Sequence, residues 1–238
     1  MQTALGLLYP PQCVSCGDPV ESDFGLCGSC WRETPFIEGL VCDLCGSPLP
    51  GDEGEDQVHC DDCLTTPRPW DHGRSALLYR DNARRMVLAL KHGDRTDLAR
   101  PAAGWMARAI RPVMPQDAAV VPIPSHWTRL FQRRYNQAAE LAKALAGREG
   151  LDFMPDVLIR PRRTRTHDGL TMEERFANMK DAVRPHPKRG VQLTGRDVIL
   201  VDDVMTSGAT FAAATEACRR AGANKVVILS LARVAKDV

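Results

Sequence analysis

The sequence predicts an α/β protein in which a mostly parallel sheet is flanked by helices and preceded by a small cysteine-rich module. Apolar segments typical of strands alternate with amphipathic segments typical of helices from residue 80 onwards. One segment, "DVILV" at residues 197–201, has four consecutive apolar residues, as expected for a strand that helices cover on both faces. Eight of the nine cysteines lie in the first 63 residues, which sets that part of the chain apart.

The cysteines form four Cys-x-x-Cys pairs, separated by ten, eleven and fourteen residues. One pair aims two thiolates at a single point, and two pairs supply the tetrahedral sulfur set that zinc prefers. A disulfide framework is the alternative, but the chain shows no export signal, and a reducing compartment disfavours disulfides. Joining neighbouring pairs closes the shortest loops and is favoured over a cross-braced arrangement. The expected ligand sets are Cys13, Cys16, Cys27 and Cys30 for one zinc, and Cys42, Cys45, Cys60 and Cys63 for the other.

The two parts of the chain differ in charge. Residues 1–70 carry 2 Lys/Arg and 12 Asp/Glu, which gives a net charge of −10. Residues 71–238 carry 29 Lys/Arg and 18 Asp/Glu, which gives a net charge of +11. Because cysteines fill all positions around each zinc, we expect two structural metals in a double zinc ribbon over residues 1–68. An α/β domain is expected over residues 72–238, after a linker "RPWDHG" at 68–73. The acidic ribbon argues against phosphate-backbone binding through itself, while the basic domain suits a polyphosphate or a nucleic acid.

Patterns of apolar residues place the elements of the larger domain. Helices are expected at 80–92, at 97–110 with its proper start near Pro101, at 136–146 after Asn136, and at 211–221 before Gly222. Strands are expected at 118–124, 156–160, 197–201 and 225–234. Cys218 lies on the apolar face of its helix and is expected to be a core residue. No segment reaches the ~18 apolar residues of a membrane span, so a cytoplasmic protein is expected.

The stretch "VILVDDVMTSGAT" at 198–210 is the strongest candidate for a ligand site. Asp202 and Asp203 follow the strand at the carboxyl edge of the sheet, where open α/β sheets bind ligands. The next residues lead into a helix N-terminus, whose free amides and dipole favour a phosphate, and Gly208 permits close approach. A magnesium-binding strand end and a capped turn without ligand are the alternatives. Ribose 5-phosphate is favoured, because its hydroxyls suit the carboxylates and its phosphate suits the loop.

At this stretch the chain resembles the type I phosphoribosyltransferases, whose signature for phosphoribosyl pyrophosphate it matches. Together with the cysteine pairs, it resembles the ComF family, in which a double zinc ribbon precedes a phosphoribosyltransferase domain. Three further stretches carry the resemblance: "LKHGDR" at 90–95, "VVPIPSHWTRLFQRRYNQAAELA" at 120–142 and "RRTRTHDGLTMEERFAN" at 162–178. Some members of that family are implicated in DNA uptake during natural transformation, so single-stranded DNA and DNA-uptake proteins are implied as possible partners.

The resemblance implies specific roles for the candidate residues. Asp202 and Asp203 would hold the ribose hydroxyls as the catalytic carboxylates, and the loop Thr206, Ser207, Gly208, Ala209 and Thr210 would hold the 5′-phosphate. A pyrophosphate loop is implied at 125–134, and a flexible loop that closes over the site at 160–176. Their candidate anion contacts are Arg129, Arg133, Arg134, Arg162, Arg163 and Arg165.

The sequence departs from the family pattern at two positions: Arg134 stands where a glycine is expected, and His167 stands where a glutamine is expected.

The implied reaction is transfer of a phosphoribosyl group to an unidentified acceptor with release of pyrophosphate, and magnesium would accompany the donor. Its transition state is a ribosyl cation like that of glycosidases, so positioning and positive charge matter more than a covalent nucleophile. A sensor of phosphoribosyl pyrophosphate and a nucleic-acid adaptor are the alternatives. The long basic loop favours the enzyme, because a sensor has less need to seal its ligand from water.

Overall fold

The computed structural model describes residues 10–52, 54, 57–128, 131, 134–164 and 169–235. The described strands are β1 (His72–Leu78), β2 (Ala119–Pro122), β3 (Asp152–Phe153), β4 (Leu158–Ile159), β5 (Arg184–Pro185), β6 (Val198–Met205) and β7 (Val226–Arg233). Five of them form the central sheet in the order β1-β7-β6-β2-β3, and every neighbouring pair is parallel. Strands β4 and β5 form a separate antiparallel pair.

Among the elements that the structure describes, two short helices belong to the cysteine-rich part and five longer ones belong to the α/β part. The described helices are α1 (Gly28–Arg32), α2 (Asp61–Thr65), α3 (Asp81–His92), α4 (Ala99–Ile110), α5 (Gln137–Glu149), α6 (Met172–Met179) and α7 (Ala209–Arg220). Three 3-10 turns, Thr96–Leu98, Arg111–Val113 and Gly190–Leu193, complete the regular elements of the described residues.

Strand β6 shows why its apolar run is continuous. Ile199 and Val201 belong to the core formed with α3, α4 and α5. Val198 and Leu200 belong to the core on the other face, formed with α7. All four side chains are fully buried, because helices cover both faces of a parallel sheet. The predicted fold class is therefore confirmed: a parallel α/β sheet flanked by helices, with a small cysteine-rich domain at the N-terminus.

Several predicted elements are confirmed with shifted ends. Asn136 caps α5, and its side-chain oxygen accepts a hydrogen bond from the Ala138 amide at 3.2 Å. Helix α4 begins at Ala99, two residues before Pro101. Strand β6 continues to Met205, so the two aspartates lie within the strand rather than after it. It extends because β7 remains paired with it as far as the Met205–Arg233 register.

The expectation of a linker at residues 68–73 is wrong in two respects. Trp70 is only 3% exposed, and its indole N–H donates a hydrogen bond to the Leu44 carbonyl in the cysteine-rich part. His72 and Gly73 already belong to β1, a strand that the sequence patterns missed. Its signal is weak because Arg74 interrupts the apolar run, and the structure balances that charge with Asp43 at 2.8 Å. The division at residues 1–68 and 72–238 stays a prediction.

Two further segments differ from expectation. The strand predicted at 156–160 is present as β4, but it pairs with β5 outside the parallel sheet. The segment 160–176, expected as a flexible loop, contains the start of α6. Thr171 and Glu174 form a capping box there, in which each side chain bonds the other residue's backbone amide, so that the helix has a defined beginning.

Across the residues that the structure describes, none of the helices has the length and apolar character that crossing a membrane requires.

Candidate ligand site and cysteine centres

The eight N-terminal cysteines form two clusters, and in each cluster the four sulfur atoms lie within 4.8 Å of one another. The first cluster consists of Cys13, Cys16, Cys27 and Cys30, and the second cluster consists of Cys42, Cys45, Cys60 and Cys63. Neighbouring pairs therefore combine as expected, and the cross-braced alternative is wrong.

The sulfur geometry fits zinc. In a tetrahedral site with Zn–S bonds of about 2.3 Å, the sulfurs are about 3.8 Å apart. The Sγ atoms of Cys16 and Cys27 are 3.6 Å apart in the first cluster, and those of Cys45 and Cys60 are 3.5 Å apart in the second. Because cysteines supply all four positions, a zinc ion held here would be structural and would cross-link segments that have few apolar residues of their own.

The two clusters have different surroundings. Cys16 of the first cluster is exposed, and this cluster faces α3, where the Asn82 side chain donates to the Cys30 carbonyl at 3.3 Å. In the second cluster Cys42 and Cys45 are fully buried. They share one apolar core with Trp70 and with residues of α7, so this cluster is built into the α/β domain.

The two predicted carboxylates lie in the last half of β6, on opposite faces of the sheet, because neighbouring residues of a strand point to opposite sides. Asp203 is mostly buried, and its carboxylate pairs with the ammonium group of Lys91 at 3.2 Å. Asp202 keeps part of its surface in solvent and accepts a hydrogen bond from the Asp203 amide at 2.9 Å. The two side chains therefore flank the carboxyl end of β6.

The electrostatic environment of Asp202 differs from that of a surface carboxylate. Burial, and then the neighbouring charge of Asp203, raise the pKa of Asp202 to about 7. The Asp203 amide and the positive charges of Lys91 and Arg160 act in the opposite direction. Asp202 is thus poised between its protonated and charged forms near neutral pH, and a ligand group that binds there selects one of the two forms.

The loop after β6 leads directly into α7. Gly208 precedes the helix with φ of 84°, a left-handed conformation that favours glycine. The Ser207 hydroxyl accepts a hydrogen bond from the Ala209 amide at 3.4 Å, and Thr206 is exposed beside it. The first amides of a twelve-residue helix therefore open onto the carboxyl edge of the sheet, next to the two carboxylates.

The predicted arginines are only partly described. Arg129, Arg133 and Arg165, with His167, lie outside the described residues. Arg134 is exposed and has φ of 65°, so the position where the family pattern has glycine does adopt a conformation that favours glycine. Arg162 donates to the carbonyls of Asn178 at 2.7 Å and Lys180 at 2.8 Å, which ties it to the end of α6. Arg163 is exposed.

Three basic residues near the site were missed by the sequence reasoning. Lys91 was quoted within "LKHGDR" without a role, and its position at the end of a helix beside the sheet edge was the available signal. Arg160 contributes positive charge at Asp202. Arg68, placed in the expected linker, donates to the Ser207 carbonyl at 2.8 Å. Nothing in the sequence places Arg68 there, because the contact joins residues 139 positions apart.

Comparison with known proteins gives matches to the ribbon and to the whole chain. Residues 4–64 match the family model of the double zinc ribbon domain. The DNA utilization protein YhgH of Salmonella typhi is 29% identical over 235 residues, which cover 95% of this chain and 99% of that protein. Competence protein F of Haemophilus influenzae is 26% identical over 228 residues, which cover 93% of this chain and 96% of that protein.

Two matches concern phosphoribosyltransferases. An adenine phosphoribosyltransferase of Mycolicibacterium vanbaalenii is 45% identical over 49 residues, which cover 19% of this chain and 28% of that enzyme. A solved adenine phosphoribosyltransferase from Thermoanaerobacter pseudethanolicus is 18% identical, with 61% of this chain and 83% of that chain covered and a TM-score of 0.36, too low to support an argument. The ribbon match and the similarity along the whole of competence protein F confirm that this chain resembles the ComF family, with a double zinc ribbon followed by an α/β domain.

Proposed function

We propose that the chain binds phosphoribosyl pyrophosphate at the carboxyl edge of its sheet and transfers the phosphoribosyl group to an acceptor, with release of pyrophosphate. One observation carries this proposal. Two adjacent carboxylates, Asp202 and Asp203, lie in the last half of β6, and after the strand a loop with a left-handed Gly208 leads into the N-terminus of α7. Carboxylates accept hydrogen bonds from hydroxyls, and a helix N-terminus favours a phosphate, so a single ribose 5-phosphate group suits both.

Within this proposal, each part of the site has a distinct task. Asp202 and Asp203 approach the ribose 2′- and 3′-hydroxyls from the two sides of the strand, while residues 206–210 take the 5′-phosphate. Lys91 orients the Asp203 side chain through the 3.2 Å ion pair. Neither carboxylate needs to attack the sugar, since a ribosyl cation is stabilised by fixed charges rather than by a covalent nucleophile.

The leaving pyrophosphate requires positive charge on the far side of the ribose. The exposed side chains of Arg134 and Arg163 are available for this task, and Arg129, Arg133 and Arg165 remain part of the proposal. Arg162 is a weaker candidate, because its guanidinium already bonds two carbonyls at the end of α6. Magnesium would arrive with the donor and be held mainly by pyrophosphate oxygens, since it keeps most of its waters and uses few protein ligands.

A second candidate function is a role in DNA uptake or use, with binding of phosphoribosyl pyrophosphate as a regulatory signal rather than as catalysis. The names of the relatives, a competence protein and a DNA utilization protein, favour this context. The net charge of +11 after residue 70 suits an anionic partner. Single-stranded DNA and DNA-uptake proteins are the partners that we propose for it.

Calorimetry with phosphoribosyl pyrophosphate and magnesium, followed by a screen of nucleobases for pyrophosphate release, separates these functions. The enzyme predicts binding and release with at least one acceptor, whereas the sensor predicts binding alone. Steeply salt-dependent binding of single-stranded DNA, without competition from phosphoribosyl pyrophosphate, indicates the adaptor.

A double variant, Asp202→Asn with Asp203→Asn, tests the site itself, because it keeps the size of both side chains and removes their charge. The control is Asp156→Asn, an exposed carboxylate before β4. If the double variant binds the donor as tightly as the wild type does, the two aspartates have another task.

A further inference from the structure

Arg68 connects the second cysteine cluster to the loop at residues 206–210. Its Nη1 donates to the Ser207 carbonyl at 2.8 Å, and its Nε lies 3.4 Å from the sulfur of Cys63. Cys63 belongs to the second cluster, and Ser207 belongs to the proposed phosphate loop. One guanidinium group thus contacts a metal-ligand sulfur and the backbone of a loop 139 residues away.

The contact with Ser207 determines the direction of the next amide. In a trans peptide the carbonyl oxygen and the following N–H point in opposite directions. When Arg68 holds the Ser207 carbonyl, the Gly208 N–H is directed away from the ribbon. Among the described residues this N–H has no acceptor, which leaves it available to a ligand.

Packing against the same side of the loop supports this orientation. A Cβ atom built on Gly208 would lie 2.9 Å from the Trp70 ring and 3.2 Å from Nη1 of Arg68. The Arg68 guanidinium also lies 5.5 Å from the Trp70 ring centroid, in a cation–π arrangement. Arg68 and Trp70 therefore form one wall of the loop, and a phosphate has to approach from the other side.

The second cysteine cluster holds this wall in place. The Cys63 sulfur accepts from Nε of Arg68 at 3.4 Å, and the cluster thereby fixes the position of the guanidinium. A second arginine makes a parallel connection: Arg233, buried at the end of β7, donates to the Cys45 carbonyl at 3.1 Å and contacts the sulfur of Met205 at 3.3 Å. In the described part of the chain, the contacts of the first cluster run instead to α3 and to Arg95, and none of the hydrogen bonds named here joins it to the loop at residues 206–210.

We propose that Arg68 is a positioning residue that couples the second zinc centre to the phosphate loop. The Cys63 sulfur holds the guanidinium, the guanidinium holds the Ser207 carbonyl, and the Gly208 amide is thereby aimed at the 5′-phosphate. This inference rests on the proposed function for the identity of the ligand. The local order of the loop at residues 206–210 does not depend on the identity of the ligand, so this order is tested separately.

Arg68→Met tests the coupling, because methionine keeps much of the apolar stem and removes the guanidinium. Calorimetry with ribose 5-phosphate should show an affinity about tenfold lower, because the Gly208 amide would no longer be aimed at the phosphate. This is the lower end of the range for losing a hydrogen bond to a charged group. Hydrogen exchange of the segment 205–212, measured without ligand, should become faster. Metal analysis should still find about two zincs per chain. Arg68→Lys, which keeps the charge but can reach only one of the two partners, should recover part of the affinity.

Arg74→Met is the matched control, since Arg74 also joins the α/β domain to the ribbon, through Asp43, and has no contact with the loop. It should leave both the loop exchange and the ribose 5-phosphate affinity unchanged. An equal loss in Arg74→Met would indicate general loosening of the ribbon and overturn the proposal. Unchanged loop exchange in Arg68→Met with zinc retained would overturn it as well. If the wild type binds no ribose 5-phosphate, the proposed function is wrong, and the exchange data still decide the coupling.

Discussion

The ammonium nitrogen of Lys91 lies 3.2 Å from a carboxylate oxygen of Asp203, which joins the end of α3 to the end of β6. Both side chains are mostly buried, with 20% and 12% of their surface exposed. Lys91→Met should therefore leave the Asp203 carboxylate without its ion-pair partner and lower the free energy of unfolding by about 1–3 kcal/mol. Urea denaturation at neutral pH measures this difference.

Arg108→Met on α4 provides the control, because Arg108 pairs with Glu38 at 3.3 Å while both side chains remain largely exposed. An exposed pair contributes about 0–1 kcal/mol, so this variant should be nearly as stable as the wild type. If the two variants lose the same free energy of unfolding, the Lys91–Asp203 pair stabilises the fold no more than an exposed ion pair does.

The raised pKa of Asp202 predicts a pH dependence of stability. The folded-state pKa of about 7 lies above the unfolded value of 3.8. Between these two values the folded protein therefore holds a proton that the unfolded chain has already released. The contribution of Asp202 to the free energy of unfolding should therefore decrease as the pH rises from about 4 to about 7. Comparing urea denaturation of Asp202→Asn and the wild type over this range, without magnesium, isolates that contribution. Parallel stability curves would show that the pKa is not raised.

The two cysteine clusters should respond differently to substitution. Cys42→Ser removes a buried ligand from the cluster that shares a core with α7, so it should lower both zinc content and the stability of the α/β domain. Cys16→Ser removes an exposed ligand from the other cluster and should release one zinc with a smaller effect on that domain.

Metal analysis and thermal denaturation measure both cysteine effects. Cys218→Ala, at a buried thiol that belongs to neither cluster, should keep about two zincs per chain. Equal destabilisation by Cys42→Ser and Cys16→Ser would contradict the view that the second cluster supports the α/β domain more than the first cluster does.

Local patterns predicted much of this fold because neighbouring residues determine them. The continuous apolar run of β6, the Asn136 cap of α5 and the spacing of the cysteine pairs all appear in the structure as expected. Strand β1 was missed because it is an edge strand with Arg74 in its middle, and its pairing depends on β7, about 150 residues away. A charge that a distant partner balances cannot be distinguished from a solvated charge by local sequence alone.

The candidate site was predictable to the same extent. The aspartates and the glycine loop form one continuous stretch, so sequence placed them together. Lys91, Arg160 and Arg68 reach that stretch from other elements through the packing of α3, the end of β4 and the ribbon. The sequence did not predict the core that the ribbon shares with the α/β domain. Residues 68–73 contain several polar side chains, and no local pattern indicates that Trp70 is buried.

Arg134 is expected to affect stability and ligand binding in opposite directions. A non-glycine residue with φ of 65° is strained by about 1–2 kcal/mol, so Arg134→Gly should relieve strain, although glycine also gives more freedom to the unfolded chain. Stability should therefore be unchanged or slightly higher. If Arg134 contacts pyrophosphate as proposed, the affinity of the Arg134→Gly protein for pyrophosphate, measured with magnesium, should fall. Calorimetry and urea denaturation of the same variant measure both effects, and unchanged pyrophosphate affinity would remove Arg134 from the site.

Gly208 should be intolerant of a side chain for two separable reasons. Its φ of 84° strains any residue with a Cβ atom, and that atom would lie 2.9 Å from the Trp70 ring. Gly150, which follows α5 with φ of 68°, has open space around the corresponding position. Gly150→Ala should therefore report the backbone strain alone, about 1–2 kcal/mol of unfolding free energy. Gly208→Ala should lose more than this, because Trp70 is held by the ribbon and cannot move aside freely.

The excess loss in Gly208→Ala over Gly150→Ala measures how firmly the ribbon supports the loop. The nearest atom to the added Cβ belongs to Trp70, at 2.9 Å, and the Met205 methyl and Arg68 Nη1 follow at 3.0 and 3.2 Å. The alanine should therefore disturb the ribbon side of the loop first and weaken ribose 5-phosphate binding through displacement of the Gly208 amide. The additional variant Trp70→Phe, which has a smaller ring, should recover part of the lost stability in Gly208→Ala. Chemical denaturation is measured for the wild type, Gly150→Ala, Gly208→Ala and the double variant Gly208→Ala with Trp70→Phe. Equal losses at the two glycines, with no recovery by Trp70→Phe, would show that backbone conformation alone requires glycine at this position.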